Sequence, residues 1–160
     1  MNDRASIGDL DGPRLGEIGL GAFAPYLMNR IMGRYNASLR TDLAAVGLTT
    51  PKMRTLAVLS VVDGLTISRL AVYAVIEQST LSRTLDGLEA DRLIRRTPDL
   101  ADSRATRVSI TEEGRASFEG VWPTMRRNYD RMFSGISAEE HAAFVATLQK
   151  ILVNVRKHDF

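Results

Sequence analysis

Two short amphipathic segments separated by a tight break constrain this sequence more than any other feature. The first covers residues 67–74, where apolar side chains recur at the i, i+3, i+4, i+7 positions of one helical face, and Thr66 is its predicted N-cap. The second presents Leu81, Leu85 and Leu88 on one face. Residues 75–80 between them follow neither period. Two short helices joined in this way form a helix-turn-helix.

A β-hairpin is predicted directly after the second helix. Residues 93–97 are short and extended, and residues 107–110 alternate polar and apolar side chains as a half-buried strand does. The polar segment 98–103 joins them. A hairpin in this position is a wing, and it is basic: the arginines on or beside it are Arg95, Arg96, Arg104 and Arg107.

Long helices are predicted on both sides of this unit. Apolar residues recur every four positions over 21–46, and Gly47 is the predicted end of this helix. Thr50 is the predicted N-cap of the next helix, and Pro51 is its predicted first residue. Thr111 begins another helix, and Ser137 to Glu140 form a capping box for the last. Phe144, Leu148, Ile151 and Val155 are spaced four and three residues apart there, which indicates a seam for a partner helix.

The predicted fold class is therefore mainly α with a small β-hairpin wing, an α+β arrangement. One domain is expected over 20–160, with a winged helix-turn-helix at about 48–110 and dimerisation helices at about 21–46 and 111–158. Residues 1–19 lack a sustained period, and we interpret them as a flexible N-terminal arm.

Composition narrows the function by exclusion. The chain has no Cys, and its two histidines are His141 and His158, so we expect no disulfide, no thiol chemistry, no metal site, no cofactor and no catalytic residues. No apolar run is long enough for a membrane span and no secretory signal is visible, so a cytoplasmic location is expected. The net charge of +2 is too small to indicate a partner, although Arg far outnumbers Lys among the 21 basic residues.

The second helix of the pair carries the candidate interface. Ser79, Thr80, Ser82 and Arg83 cluster in its first turns, the part that DNA-reading helices present to base edges and phosphates. Arg104 at the tip of the hairpin suits the narrow minor groove, and Asp102 is placed to hold its guanidinium by a charge-assisted bond. The alternatives are a solvated helix face and a surface turn with an incidental ion pair.

With these features, the sequence resembles the MarR family of winged-helix transcriptional regulators. The segments that carry the resemblance are Leu48-Thr49-Thr50-Pro51 with Leu56, Ser68-Arg69-Leu70-Ala71, Ser79 to Leu85 with Leu88-Glu89, and Asp102-Ser103-Arg104 with Val108 to Gly114. Lys52-Met53-Arg54 and Arg92 depart from the family pattern, which often has glycine at the latter position.

The resemblance implies roles for individual residues. Gln78, Ser79, Thr80, Ser82 and Arg83 are the expected major-groove or phosphate contacts, Arg104 the minor-groove finger, and Asp102 its orienting partner. Family members are homodimers on pseudo-palindromic operators, and many respond to a small aromatic or phenolic effector. The candidate pocket residues here, which ordinary core packing would also explain, are Met28, Met32, Tyr35, Met53 and Met125.

These observations predict a sequence-specific regulator that binds double-stranded DNA, a ligand-responsive repressor acting as a homodimer. The alternative is a dimeric winged-helix interaction protein, similar to an antirepressor, that does not bind DNA. Asp86, Asp91 and the nearly balanced charge allow this second interpretation. An enzyme is disfavoured because a Ser/His/Asp triad would need His141 or His158, both on or after the charged last helix, and because no glycine-rich phosphate loop or metal-ligand spacing is apparent.

Overall fold

The computed structural model describes residues 12–156, which form seven α-helices and a three-stranded sheet. The helices, in chain order, are α1 (Leu15–Ile18), α2 (Ala24–Ala44), α3 (Thr50–Val61), α4 (Ile67–Ala74), α5 (Gln78–Ala90), α6 (Glu112–Met132) and α7 (Ala138–Val155). The strands are β1 (Leu65–Thr66), β2 (Ile94–Pro98) and β3 (Thr106–Ile110), and a 3-10 turn covers Leu20–Ala22. The predicted class, mainly α with a small wing, is confirmed.

The structure describes only part of the two chain ends. Residues 1–11 of the predicted arm lie outside the described residues, as do 157–160 with Lys157, His158 and the expected end of the last helix. Within the described part of the arm, Leu15–Ile18 form the short helix α1. Its first turn is closed by Glu17, whose carboxylate accepts a hydrogen bond of 2.9 Å from the Arg14 amide.

Helix caps account for where the long helices begin. Thr111 accepts a hydrogen bond from the Gly114 amide (3.0 Å), and Ser137 and Glu140 form the predicted capping box. For α3, however, the prediction of Thr50 as N-cap is wrong by one residue. The N-cap is Thr49, which has the extended backbone that this position requires and whose hydroxyl accepts from the Lys52 amide at 3.4 Å.

The wing is part of a three-stranded antiparallel sheet and not an isolated hairpin. Strand order is β1-β3-β2, with Leu65 opposite Val108 and Ile94 opposite Ile110. Strand β1, which the sequence analysis missed, has only two residues, too few to show an alternating pattern. Together with Asp63, whose carboxylate accepts from the Ile110 amide (2.9 Å), it fixes the wing to the start of α4.

One leucine-rich core holds the helix-turn-helix in place. Leu81, Leu85 and Leu88 of α5 are fully buried, as predicted, and belong to the same cluster as Leu56 and Leu70. Truncating one such leucine to alanine typically costs about 2–5 kcal/mol of stability. The core therefore fixes which face of α5 is turned to solvent.

The junction of wing and α6 depends on one glycine. A Cβ atom on Gly114 would lie 2.0 Å from the Leu93 carbonyl oxygen, so no other residue fits there without moving the backbone. Nearby, Arg92 has a φ of 60°, the left-handed conformation expected where the family often has glycine. Its carbonyl accepts a 2.7 Å hydrogen bond from the Thr111 hydroxyl.

None of the helices over residues 12–156 is long and apolar enough to cross a membrane.

Candidate nucleic-acid interface and effector cavity

The solvent face of α5 presents the polar residues that the sequence singled out. Gln78, Ser79, Ser82 and Arg83 are exposed, and Thr80 is half-buried. The Arg83 side chain forms no ion pair with any residue between 12 and 156. The N-cap position, Glu77, makes no side-chain cap, so the first amides of α5 remain available to an acceptor such as a phosphate.

Acidic residues on and just after α5 form ion pairs with neighbouring cations. Arg96 of β2 pairs with Asp86 (2.9 Å) and Glu89 (2.5 Å), and its hydrogen bond to Glu89 lowers the pKa of that carboxyl. Asp91, just after the helix, pairs with Lys52 of α3 at 2.6 Å. Arg96 therefore anchors the wing to α5 instead of standing free for a ligand, and it offsets one of the two negative charges that Asp86 and Glu89 carry.

Asp99 organises the loop at the wing tip, a role that the sequence analysis missed. This buried carboxylate accepts hydrogen bonds from the amides of Asp102 (2.9 Å) and Ala101 (2.7 Å), and it forms an ion pair with Arg107. The two amides, with the Arg107 guanidinium, lower the pKa of Asp99. Its position after Pro98 at the start of a polar segment was the available signal, since Asp commonly opens turns.

The predicted bond between Asp102 and the Arg104 guanidinium is absent from the structure. Asp102 instead accepts a 3.0 Å hydrogen bond from the Arg104 backbone amide. An Asp side chain reaches the amide two residues on more easily than a long flexible guanidinium, so the short-range bond forms. Asp102 thus shapes the loop, while the exposed Arg104 side chain has no ion-pair partner within residues 12–156.

Residues of α2, α3, α4 and α6 line an open cavity of about 410 Å³, which we name the effector cavity after the predicted effector pocket. Four of the five predicted pocket residues line it together: Met32, Tyr35, Met53 and Met125. Met28 does not, because it lies one helical turn earlier on α2. Burial raises the pKa of the Tyr35 hydroxyl.

Arg54 is the cation of the effector cavity, whereas in the sequence it stands out only as a departure from the family pattern. Its guanidinium donates to the side-chain oxygen of Asn36 (3.3 Å) and to the carbonyl of Val75 (3.4 Å). Val75 ends α4 in the left-handed conformation, with a φ of 54°, immediately before α5. Arg54 therefore connects the cavity to the turn of the helix-turn-helix.

Helix α7 leaves its apolar residues without cover in the single chain. None of its residues is buried: Phe144 and Val155 of the predicted seam are exposed, and Leu148 and Ile151 are half-buried. His141, at its start, is hydrogen-bonded to the hydroxyl of Tyr129 on α6. The helix is thus attached at one end and offers an apolar surface along the rest.

Comparison with known proteins decides the family. A family model described as MarR family matches residues 46–105, from the end of α2 to the wing. The crystal structure of a MarR-family transcriptional regulator from Silicibacter pomeroyi is 57% identical, covers 92% of this chain and all of its own, and superposes with a TM-score of 0.88. This chain belongs to the MarR family.

Two further proteins with similarity to this chain are named as a regulator or for the regulation of their DNA binding. The HTH-type transcriptional repressor IacR of Pseudomonas putida is 26% identical, over 83% of this chain and 80% of its own length. BpsR of Bordetella bronchiseptica is 25% identical to this chain, and its structure superposes with a TM-score of 0.70. The match covers 80% of this chain and 97% of that one. That structure concerns the regulation of BpsR DNA binding by 6-hydroxynicotinic acid. The protein is accordingly a DNA-binding transcriptional regulator, and these relatives are regulators rather than enzymes.

Proposed function

We propose that this MarR-family regulator is a ligand-responsive repressor that binds a pseudo-palindromic operator as a homodimer in the cytoplasm. The observation that carries the proposal is the pair of unneutralised cations, Arg83 on α5 and Arg104 on the wing, on elements held by one core. Repression is proposed because the related IacR is a repressor.

In this proposal the two elements read different parts of the duplex. Gln78, Ser79 and Ser82 supply short donors and acceptors for base edges in the major groove, and Arg83 reaches a guanine edge or a phosphate. Arg104 enters the adjacent minor groove, where a narrow groove attracts a guanidinium. Thr80 and Asp102 act more locally, because one is half-buried and the other is bonded to the loop.

The dimer is proposed from the uncovered apolar surface of α7. A dimer is stabilised when the second copy removes solvent-exposed side chains such as Phe144 and Leu152 from water. A two-fold axis through this region presents α5 twice, and a symmetric protein binds a symmetric operator.

An aromatic acid is the proposed effector of the effector cavity. Methionines and Tyr35 provide an adaptable apolar wall for a ring, and Arg54 provides the cation for a carboxylate. The 6-hydroxynicotinic acid named with BpsR has this combination. A carboxylate on Arg54 competes with the Val75 carbonyl, so the ligand binds with different affinity to forms that differ at the turn before α5.

The interaction protein that does not bind DNA is less well supported. Its main argument was the acidity of the α5 region, and both Asp86 and Asp91 are paired with cations. Lys52 therefore compensates Asp91, and Asp86 is compensated in part because it shares Arg96 with Glu89.

Fluorescence anisotropy with labelled DNA from upstream of the protein's own gene, over a series of salt concentrations, tests the proposal. We expect nanomolar binding that weakens steeply with salt, because phosphate contacts release counterions. A random duplex of the same length is the control. Equal affinity for the two duplexes would overturn the operator-binding proposal.

A further inference from the structure

The loop at the tip of the wing displays one large apolar side chain that nothing in the described chain covers. Leu100 has an exposed fraction of 104%, the highest among the large apolar residues between 12 and 156. The next four residues of the loop, 101–104, are exposed as well. A single exposed leucine is common on protein surfaces, so the position of this one has to be argued from the loop that carries it.

The backbone around Leu100 is fixed by hydrogen bonds on both sides. The Asp99 carboxylate accepts from the amides of Ala101 (2.7 Å) and Asp102 (2.9 Å), which encloses residue 100 in a turn. The Asp99 amide donates to the Ala105 carbonyl (2.9 Å), and the Ala105 amide donates to the Asp102 carbonyl (2.9 Å), so the base of the loop is closed. Little backbone entropy therefore remains to be lost when the leucine meets a binding partner.

The same loop carries a cation that indicates the kind of partner. Arg104 lies four residues after Leu100, and its exposed side chain has no ion-pair partner within residues 12–156. The minor groove of DNA accepts both side chains, because its negative potential attracts a guanidinium and leucine is among the apolar residues that insert between base steps there. A protein partner is less favoured, since a stable interface buries far more surface than one leucine provides.

We propose that Leu100 is a wedge that inserts into the minor groove at a pyrimidine–purine step of the operator, next to the base pairs that Arg104 contacts. Such steps unstack most easily, and a side chain inserted between them bends the duplex toward the major groove. Leu100 then contributes to sequence preference through the deformability of one step, without a hydrogen bond to a base. This inference rests on the proposed operator binding and adds a specificity-determining residue to it.

Fluorescence of 2-aminopurine in the operator tests the wedge, because this adenine analogue brightens when it is unstacked. It replaces the adenine of each pyrimidine–purine step in turn, and the full-length protein is added. We expect the wild-type protein to raise the fluorescence at one step on each side of the operator. Leu100→Ala should abolish this rise and weaken operator binding about tenfold, the effect of losing the partial burial of one leucine side chain. The slope of log Kd against log salt should not change, because no phosphate contact is lost.

Two variants are the matched controls. Leu100→Met keeps a long apolar side chain at the tip and should keep the rise in fluorescence. Val61→Ala shortens another exposed apolar side chain, at the end of α3, and should change neither the fluorescence nor the affinity. The melting temperature of Leu100→Ala should equal that of the wild type, because this side chain is not packed against the core.

The outcomes that contradict the wedge differ from those that contradict operator binding. Tight binding of the operator without a rise in fluorescence at any step would overturn the wedge alone. The same holds if Leu100→Ala binds and brightens the operator as the wild type does. Loss of self-association by Leu100→Ala in sedimentation, with the fluorescence rise retained, would assign the leucine to a protein contact. Absence of operator binding by the wild-type protein would overturn the proposed function and the wedge with it.

Discussion

Arg104 is exposed at the wing tip because its loop is held by other residues. Asp102 and Asp99 bind backbone amides there, and the guanidinium of Arg104 is left without an ion-pair partner among residues 12–156. We expect Arg104→Ala to weaken operator binding by about 1–3 kcal/mol and to leave dimerisation intact. Anisotropy and sedimentation measure the two effects. Arg127→Ala is the matched control, and an unchanged affinity of the Arg104 variant would remove the wing from the mechanism.

Asp99 should make the wing tip sensitive to acid. Hydrogen bonds from two amides and the ion pair with Arg107 lower its pKa, so the stabilisation is present above the ordinary aspartate value of about 4. It is lost as the pH falls through the lowered value. Amide chemical shifts of Ala101 and Asp102 in NMR should titrate with a midpoint below about 4. A midpoint at or above that value would contradict the assigned bonds, and Asp99→Asn should abolish the transition.

Among the elements, those with strong periodicity were predictable from the sequence. The three leucines of α5 and the capping box of α7 are confirmed, because apolar spacing and caps are local properties. The wing also follows from its alternation. Four of five pocket residues meet in one cavity because the predicted helices α2, α3 and α6 pack together, although Met32 remains exposed to solvent.

What the sequence did not predict depends on contacts between distant segments or on single dihedral angles. Strand β1 exists only because β3 pairs with it, and Arg54 meets Asn36 and Val75 only after the helices pack. The choice between Thr49 and Thr50 as N-cap rests on which hydroxyl reaches the Lys52 amide. Likewise, the Asp102 carboxylate could have bonded either to the Arg104 guanidinium or to the Arg104 backbone amide, and in the structure it accepts from the amide.

Helix α7 is the element on which the dimer is expected to depend. Truncation before Ser137 removes a helix that buries none of its residues in the single chain, so the winged helix-turn-helix should remain folded. We expect the truncated protein to sediment as a monomer while its circular dichroism still shows a cooperative melting transition. A stable dimer after truncation would place the interface elsewhere.

At the scale of the whole molecule, function depends on the distance between two copies of α5. Successive major grooves on one face of B-DNA are about 34 Å apart, so the dimer must present its two recognition helices at that separation or deform to it. An effector that acts at the Val75 turn changes this spacing only by favouring one form of the dimer over another.

The central claim is that a dimer presents two copies of α5 to DNA, and selection of bound fragments from the host genome tests it most directly. The recovered motif reports both the symmetry of the operator and the base positions that the protein contacts. We predict an inverted repeat whose half-site centres are about 10 base pairs apart. The Arg83→Ala variant, whose core leucines are intact, should lose selectivity at defined positions within each half-site. Recovery of no enriched motif, or of a motif without two-fold symmetry, would contradict the account.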